Sequence, residues 1–350
     1  MKIVYYITPN SSHFSYMYNI YKLAPGPLYC TFDKSKISTY INENYQILES
    51  LDELNNYNPD FVLFTDFYNL KGNWMNIFIG HGYGNGIFKN NCNESIITFD
   101  EYTKNNLINY NYNFNYIFVP SELVKHDINK LCNISLNKIK VIGSPRFDNV
   151  KNLYLINYNN KKKILYAPSW GNKTSLGCNN IVEKIIELSK IYYIIVIFHP
   201  KILLKKYKNN VINCNKLINS KCSNFKIIYR KDYASIFEGY NDKHIIKIID
   251  ENNNMLQNLI LSTDFTLCDK ASAVYLDALF LEKPYFQLEK PYNYDFNNLL
   301  SKIKNIKVEN NFIHCDKKYY LNDIFGKNDR QNAKRCIDTL KQINNLINKQ

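Results

Sequence analysis

Short apolar runs rich in Val, Ile, Phe and Tyr recur along this chain between polar stretches, and the pattern stops and restarts once. In the first half the runs are Lys2–Ile7, Pro27–Phe32, Asp60–Phe64, Met75–Gly80, Ser95–Phe99, Tyr116–Val119 and Lys138–Gly143. Most are bounded by Gly, Pro or Asn, and their composition is that of buried strands. Ser121–Cys132 reads as a helix, with Ser121 as its cap and Leu123, Val124, Ile128 and Leu131 as its apolar stripe. The locally repetitive stretch Leu107–Tyr116 reads as a connector leading into a strand. A polar segment, Asn157–Lys163, marks a join between two domains. Strand candidates resume at Ile164–Ala167, Tyr193–Phe198, Phe225–Tyr229, Ile245–Ile249, Phe265–Cys268 and Pro284–Leu288. Helix candidates Asn180–Lys190, Asn254–Leu261 and Ala271–Leu281 lie among them. Strands alternating with helices predict βαβ units, hence two α/β domains built on parallel sheets. Asp329–Ile347 carries apolar residues at 333, 337, 340, 343, 346 and 347, which predicts an amphipathic helix at the end of the chain.

Composition narrows the function classes. At 45% hydrophobic residues, a chain of 350 can build two cores, which excludes wholesale disorder. Its longest apolar run, Ile191–Phe198, falls short of the roughly 20 residues a spanning helix needs. The apolar start gives way at once to Thr8-Pro9, unlike a signal peptide, so a soluble cytoplasmic protein is expected. Nine cysteines, odd in number and without a CxxC pair, suit reduced, mostly buried thiols better than a zinc framework. The 44 Lys+Arg against 31 Asp+Glu leave a net charge of +13, which attracts nucleotides, polyphosphates, anionic lipid or nucleic acid without choosing among them.

Ligands of open α/β sheets bind beyond the carboxyl ends of strands, so residues just after strands carry the functional expectation. Five segments qualify. Gly80–Gly86 is glycine-rich; His81 there is placed to take a proton from a hydroxyl, and Gly82, Gly84 and Lys89 would form an acceptor loop. His199 and Lys201 follow the strand Ile195–Phe198 and could meet phosphate or developing charge. Asp269, Ser272 and Ala273 occupy a strand-to-helix turn of small residues, able to hold phosphate or merely to cap the helix. Arg146, one of four arginines, could pair with a phosphate or with Asp148. Ser169 lies in a polar loop that could line a donor pocket, or be an ordinary loop with Trp170 packed in it.

Taken together these segments resemble the CDP-glycerol:poly(glycerophosphate) glycerophosphotransferases, a family of GT-B fold. The motifs are H-G…K at His81–Lys89, V-P-S-E at Val119–Glu122, G-x-P-R-x-D at Gly143–Asp148, and L-Y-A-P-[ST]-W at Leu165–Trp170. His199-Pro200 and the acidic, serine-bearing block from Asp264 to Lys283-Pro284 complete the order, spanning about 75–290. The resemblance implies a GT-B transferase with two Rossmann-like domains facing a cleft. An acceptor domain would cover 1–150, a nucleotide-donor domain 163–326, and a helix over 327–350 would cross back to the first. It implies transfer of glycerol phosphate from CDP-glycerol to a hydroxyl of a glycan or polyol-phosphate acceptor. His81 would be the base, His199 the stabiliser of donor phosphate charge, and Ser272, Ala273, Asp269, Lys201, Ser169 and Arg146 the donor side. No metal or other cofactor is expected, and the basic charge is compatible with peripheral contact at a membrane. On the same fold, a nucleotide-sugar glycosyltransferase or UDP-sugar 2-epimerase is the alternative. A non-catalytic protein binding nucleic acid or polysaccharide through its charge is the rival from another class, although the motifs do not point to nucleic acid.

Overall fold

The computed structural model describes residues 1–8, 11–31, 45–80, 99, 101–153, 161–171, 174–199, 208–220, 224–229, 245–247, 255–270, 272–289, 295–305, 311–314, 317–320 and 324–349. The chain divides into two compact units, Met1–Val150 with Asn311–Gln350, and Lys151–Asp250 with Met255–Asn310.

The first unit holds β1 (Ile3–Tyr6), β2 (Leu28–Tyr29), β3 (Ile47–Leu48), β4 (Phe61–Phe64), β5 (Met75–Phe78), β6 (Tyr116–Val119) and β7 (Ile139–Val141). They form one parallel sheet in the order β3-β2-β1-β4-β5-β6-β7. Successive side chains point to opposite faces, and both faces are covered, which is why these strands are mostly apolar rather than alternating. On one face Ile3, Tyr5, Phe61, Leu63 and Ile77 meet Ala333, Cys336, Leu340 and Ile343 of the C-terminal helix Asn332–Ile347. On the other, Val4, Val62, Phe64 and Ile117 meet Leu54, Leu107, Val124 and Ile128. Each large side chain so buried contributes about 1.5–3 kcal/mol.

The helix Glu122–Cys132 begins where its cap predicts, with Ser121 Oγ accepting the Val124 N–H at 3.3 Å. Leu107–Tyr116 differs from expectation: its first part belongs to a helix, Glu101–Tyr110, followed by a 3₁₀ turn, Asn111–Asn113. Thr103 and Leu107, one turn apart, are the residues this helix buries, a stripe too narrow to show among so many asparagines. The helix Leu51–Tyr57 was also illegible by periodicity, yet Ser50 Oγ accepts the Glu53 N–H, and the Glu53 carboxylate accepts the Glu49 N–H. The candidate strand Ser95–Phe99 lies, apart from Phe99, outside the described residues.

The second unit holds β8 (Lys163–Ala167), β9 (Tyr193–Ile197), β10 (Phe225–Tyr229), β11 (Ile245–Lys247), β12 (Phe265–Asp269) and β13 (Tyr285–Leu288). Its parallel sheet runs β11-β10-β9-β8-β12-β13, so the direction of winding reverses between β8 and β12. Helices Asn179–Leu188 and Lys208–Ile218 cover one face through Ile181, Ile185 and Leu217. Met255–Ser262 and Val274–Phe280 cover the other through Leu259, Ile260 and Ala278.

Residues 311–326, expected with the second domain, sit in the first unit. An antiparallel hairpin of β14 (Asn311–His314) and β15 (Lys317–Tyr320) opens this stretch. Near its end Phe325 packs edge-on against Phe147, ring centroids 5.9 Å apart, and its carbonyl accepts the Ser144 hydroxyl at 2.9 Å. Gly143 and Gly326 make that approach feasible: both have positive φ (+85° and +77°), and their backbones lie against each other.

Candidate functional site

Three neighbouring strands of the second unit, β9, β8 and β12, deliver most of the expected residues that lie among the described ones. Their registers, Tyr166 beside Val196 and Ala167 beside Cys268, bring the three carboxyl ends level. The reversal of winding between β8 and β12 falls in their midst, where doubly wound sheets leave room for a ligand. His199 leaves β9, Ser169 and Trp170 leave β8, and Asp269 closes β12 ahead of Ser272 and Ala273.

Asp269 organises this edge from beneath. It is fully buried, and its two carboxylate oxygens accept the N–H groups of Ser169 (2.6 Å) and Ser175 (2.8 Å). Both ends of the 169–175 loop are thereby tied to β12, and Ser175 Oγ shares a 2.8 Å hydrogen bond with the Tyr166 hydroxyl. Burial pushes the Asp269 carboxyl above its ordinary range, against the lowering effect of the bonds from Ser175 and Ser169. With its oxygens on these N–H groups, Asp269 ties the loop to β12. Trp170 stands half in solvent with its indole 6.1 Å from the His199 ring, the planes tilted by 34°.

At the β12 turn, the Ser272 N–H donates to the Asp269 carbonyl (2.9 Å) and Ser272 Oγ accepts the Val274 N–H (3.3 Å). Ser272 thus shapes the start of the helix while its own hydroxyl proton remains a donor. The helix behind it, Val274–Phe280, is two turns long, shorter than expected, so its dipole adds little and the hydroxyl is the stronger feature. Lys270 pairs on the surface with Glu289 at 2.9 Å.

Arg146 lies elsewhere, in the first unit, on a 3₁₀ turn, Pro145–Phe147, just past β7. Its guanidinium carbon is 4.9 Å from the Tyr16 ring centre, 4.7 Å from Phe147 and 5.8 Å from Phe325, and Nη1 donates to the Tyr16 hydroxyl at 2.8 Å. The Arg146–Asp148 pair considered from sequence gives way to another use of Asp148. Its oxygens accept Asn332 Nδ2 (2.6 Å) and the Ala333 N–H (2.5 Å), anchoring the first turn of the C-terminal helix. Arg146 borders a shallow, open recess at the exits of β5, β6 and β7, whose described walls include Ile79, Gly80, Phe118, Pro120 and Phe325.

The structure therefore gathers Ser169, His199, Asp269, Ser272 and Ala273 at one sheet edge and sets Arg146 at the edge of the other sheet. His81, Gly82, Gly84, Lys89 and Lys201 lie outside the described residues. Ser175 as the second partner of Asp269, and Tyr16 and Phe325 around Arg146, were not foreseen. Each is joined across 94 to 179 positions or belongs to no motif, so nothing local marks them. Among the described residues, no group of three or more His, Cys, Asp or Glu is placed to hold a metal ion, and no helix is long and apolar enough to cross a membrane.

A family model for CDP-glycerol:poly(glycerophosphate) glycerophosphotransferases matches residues 63–339. Among solved structures, the wall teichoic acid polymerase TagF with CDPG is similar at a TM-score of 0.58 and 16% identity, over 99% of this chain and 90% of that one. The UDP-GlcNAc 2-epimerase from Methanocaldococcus jannaschii is similar at 0.53 and 17%, over 97% and 99%. MnaA of S. aureus with UDP is similar at 0.55 and 14%, over 99% and 98%. At these identities the likeness is one of fold, the GT-B fold. No curated protein matches significantly in sequence.

Proposed function

The chain belongs to the CDP-glycerol:poly(glycerophosphate) glycerophosphotransferase family and is a transferase taking glycerol phosphate from CDP-glycerol, and from that premise we propose how its residues divide the work. The second unit holds the donor and the first presents the acceptor, a hydroxyl of a glycan or polyol phosphate. The acceptor oxygen attacks the phosphorus that bears the glycerol. The bond from that phosphorus to the bridging oxygen breaks, and CMP leaves with the electron pair. Charge grows on the bridging oxygen and on the phosphoryl oxygens, so fixed donors there lower the barrier.

The observation that carries this assignment is the convergence of His199, Ser169 and Ser272 on adjacent strand ends, around a loop braced from below by Asp269. The His199 imidazole serves the charge developing between the phosphates, and the Ser272 hydroxyl donates to a phosphoryl oxygen. His81 takes the acceptor proton, the role its family motif implies. Buried free thiols at Cys30, Cys132, Cys214, Cys268 and Cys336 agree with work in the reducing cytoplasm, and the +13 charge with a polyanionic acceptor or an anionic membrane face.

Radiolabelled CDP-glycerol and UDP-sugars, offered separately with a polyol-phosphate acceptor, test the reading. Label transfer with CMP release is expected from CDP-glycerol, and His199→Ala should slow it about 10²–10³-fold. Turnover of UDP-sugars alone would reject the donor, and a full rate in His199→Ala would reject the site.

A further inference from the structure

The helix Lys208–Ile218 buries Asn210, Asn213, Cys214, Leu217 and Ile218, positions three and four apart that form one stripe. Such a stripe is ordinarily apolar, and Cys214, Leu217 and Ile218 do join the core of the second unit. The other two are amides, both fully buried, and a buried amide is costly unless it is hydrogen-bonded. Asn213 Nδ2 donates to the Leu176 carbonyl at 2.8 Å. Asn213 Oδ1 and both polar atoms of Asn210 find no partner among the described residues. One bond is thus made where four polar atoms are buried, and it goes to the loop that leaves β8.

Leu176 lies in the 3₁₀ turn Ser175–Gly177 that closes this loop, with its side chain in the same core as Cys214 and Leu217. Beside it, the Ser175 N–H is held by Asp269 and the Ser175 hydroxyl by Tyr166. Further back, the Thr174 hydroxyl donates to the Gly171 carbonyl at 2.7 Å, which folds the loop on itself next to Trp170. The turn is therefore held from two sides, by β12 through Asp269 and by the helix Lys208–Ile218 through Asn213. That helix is the next described element after β9, whose exit carries His199.

We propose that Asn213 is a positioning residue for transfer: its bond to the Leu176 carbonyl fixes the 169–177 loop, so that Ser169 and Trp170 meet the donor beside His199. This role rests on the transfer reading above and adds to it a residue that belongs to none of the strand-end motifs. Fixing such a loop before the donor arrives lowers the ordering cost of binding and holds the reacting groups in place. Asn210 supplies the internal comparison. It is buried on the same helix one turn earlier, and its side chain bonds no loop group.

The full-length enzyme is assayed with CDP-glycerol and a polyol-phosphate acceptor as wild type, Asn213→Leu, Asn213→Ala and Asn210→Leu, each with its urea midpoint. Both Asn213 variants should lower kcat/KM for CDP-glycerol about tenfold, with the KM for the acceptor unchanged. The Ala variant adds no bulk, which guards against a Leu variant that does not fold. Asn210→Leu should keep the full kcat/KM. Equal kinetics in all variants, or losses that follow the urea midpoint whichever asparagine is replaced, would leave Asn213 a packing residue and overturn the proposal. Amide hydrogen exchange of residues 174–178 is measured on the same proteins with neither donor nor acceptor. It should quicken about tenfold in the Asn213 variants and stay unchanged in Asn210→Leu. Should the wild type turn over no CDP-glycerol, the transfer reading fails by itself. The hold of Asn213 on the loop then stands if exchange quickens, and falls if the rates are equal.

Discussion

Asp269 shows how much one acid can organise when water is kept from it. Ionised, it offers an acceptor to each of two backbone N–H groups, and Asn in its place would turn an NH₂ toward one of them. Asp269→Asn should therefore cost about 1–3 kcal/mol near neutral pH, read as a lower midpoint in urea. The pH dependence has a definite sign. Burial holds the folded-state pKa above the ordinary 3.8, so folding favours the protonated form. That contribution is fully present below 3.8 and is lost as pH rises through the folded value. The stability gap between wild type and Asp269→Asn should thus widen in favour of the wild type as pH falls from 7 toward 4; a flat or narrowing gap would contradict the assignment. At this scale, His199, Ser169 and Ser272 were legible as strand-end polar residues, whereas the brace was not. That Asp269 faces down toward Ser169 and Ser175 depends on β8 and β12 being neighbours.

Among elements, the C-terminal helix was the most readable and the most instructive. Its expected apolar positions 333, 337, 340 and 343 are buried, with Cys336 added, while Leu346 and Ile347 are exposed. Periodicity finds the stripe of a helix but not where the surface it covers comes to an end. Asp148 holds the other end, accepting the Asn332 side chain and the Ala333 N–H. Leu340 is fully buried against the β1 face, so Leu340→Ala should destabilise the protein by about 2–5 kcal/mol in urea unfolding. A loss under 1 kcal/mol would mean that this helix adds little to the first core. One short element escaped the sequence for a related reason: Ile47–Leu48 is a two-residue strand at the sheet's edge, defined only by its pairing with Leu28–Tyr29.

For the whole molecule, two parallel sheets with separate cores account for the restart of the apolar pattern near residue 163. A ligand bound to the folded protein raises its apparent stability by RT ln(1 + [L]/Kd), about 2.7 kcal/mol at a hundredfold excess over Kd. CDP should accordingly raise the melting temperature more than UDP at equal concentration. The reverse order would favour the epimerase-like alternative, whose fold this chain shares with M. jannaschii and S. aureus proteins.

By itself the sequence determined the α/β class, most strands, the helix at the chain's end and the polar groups beyond several strand ends. All of these follow from patterns a few residues long, set by the pleat of a strand, the turn of a helix or a local cap. Only the tertiary structure decided the strand order, the place of residues 311–326 in the first unit, the loop hung on Asp269 and the aromatic setting of Arg146. Those are pairings between residues far apart in the chain. Their energy exists only once the sheets bring them into contact, and no local pattern has to announce it.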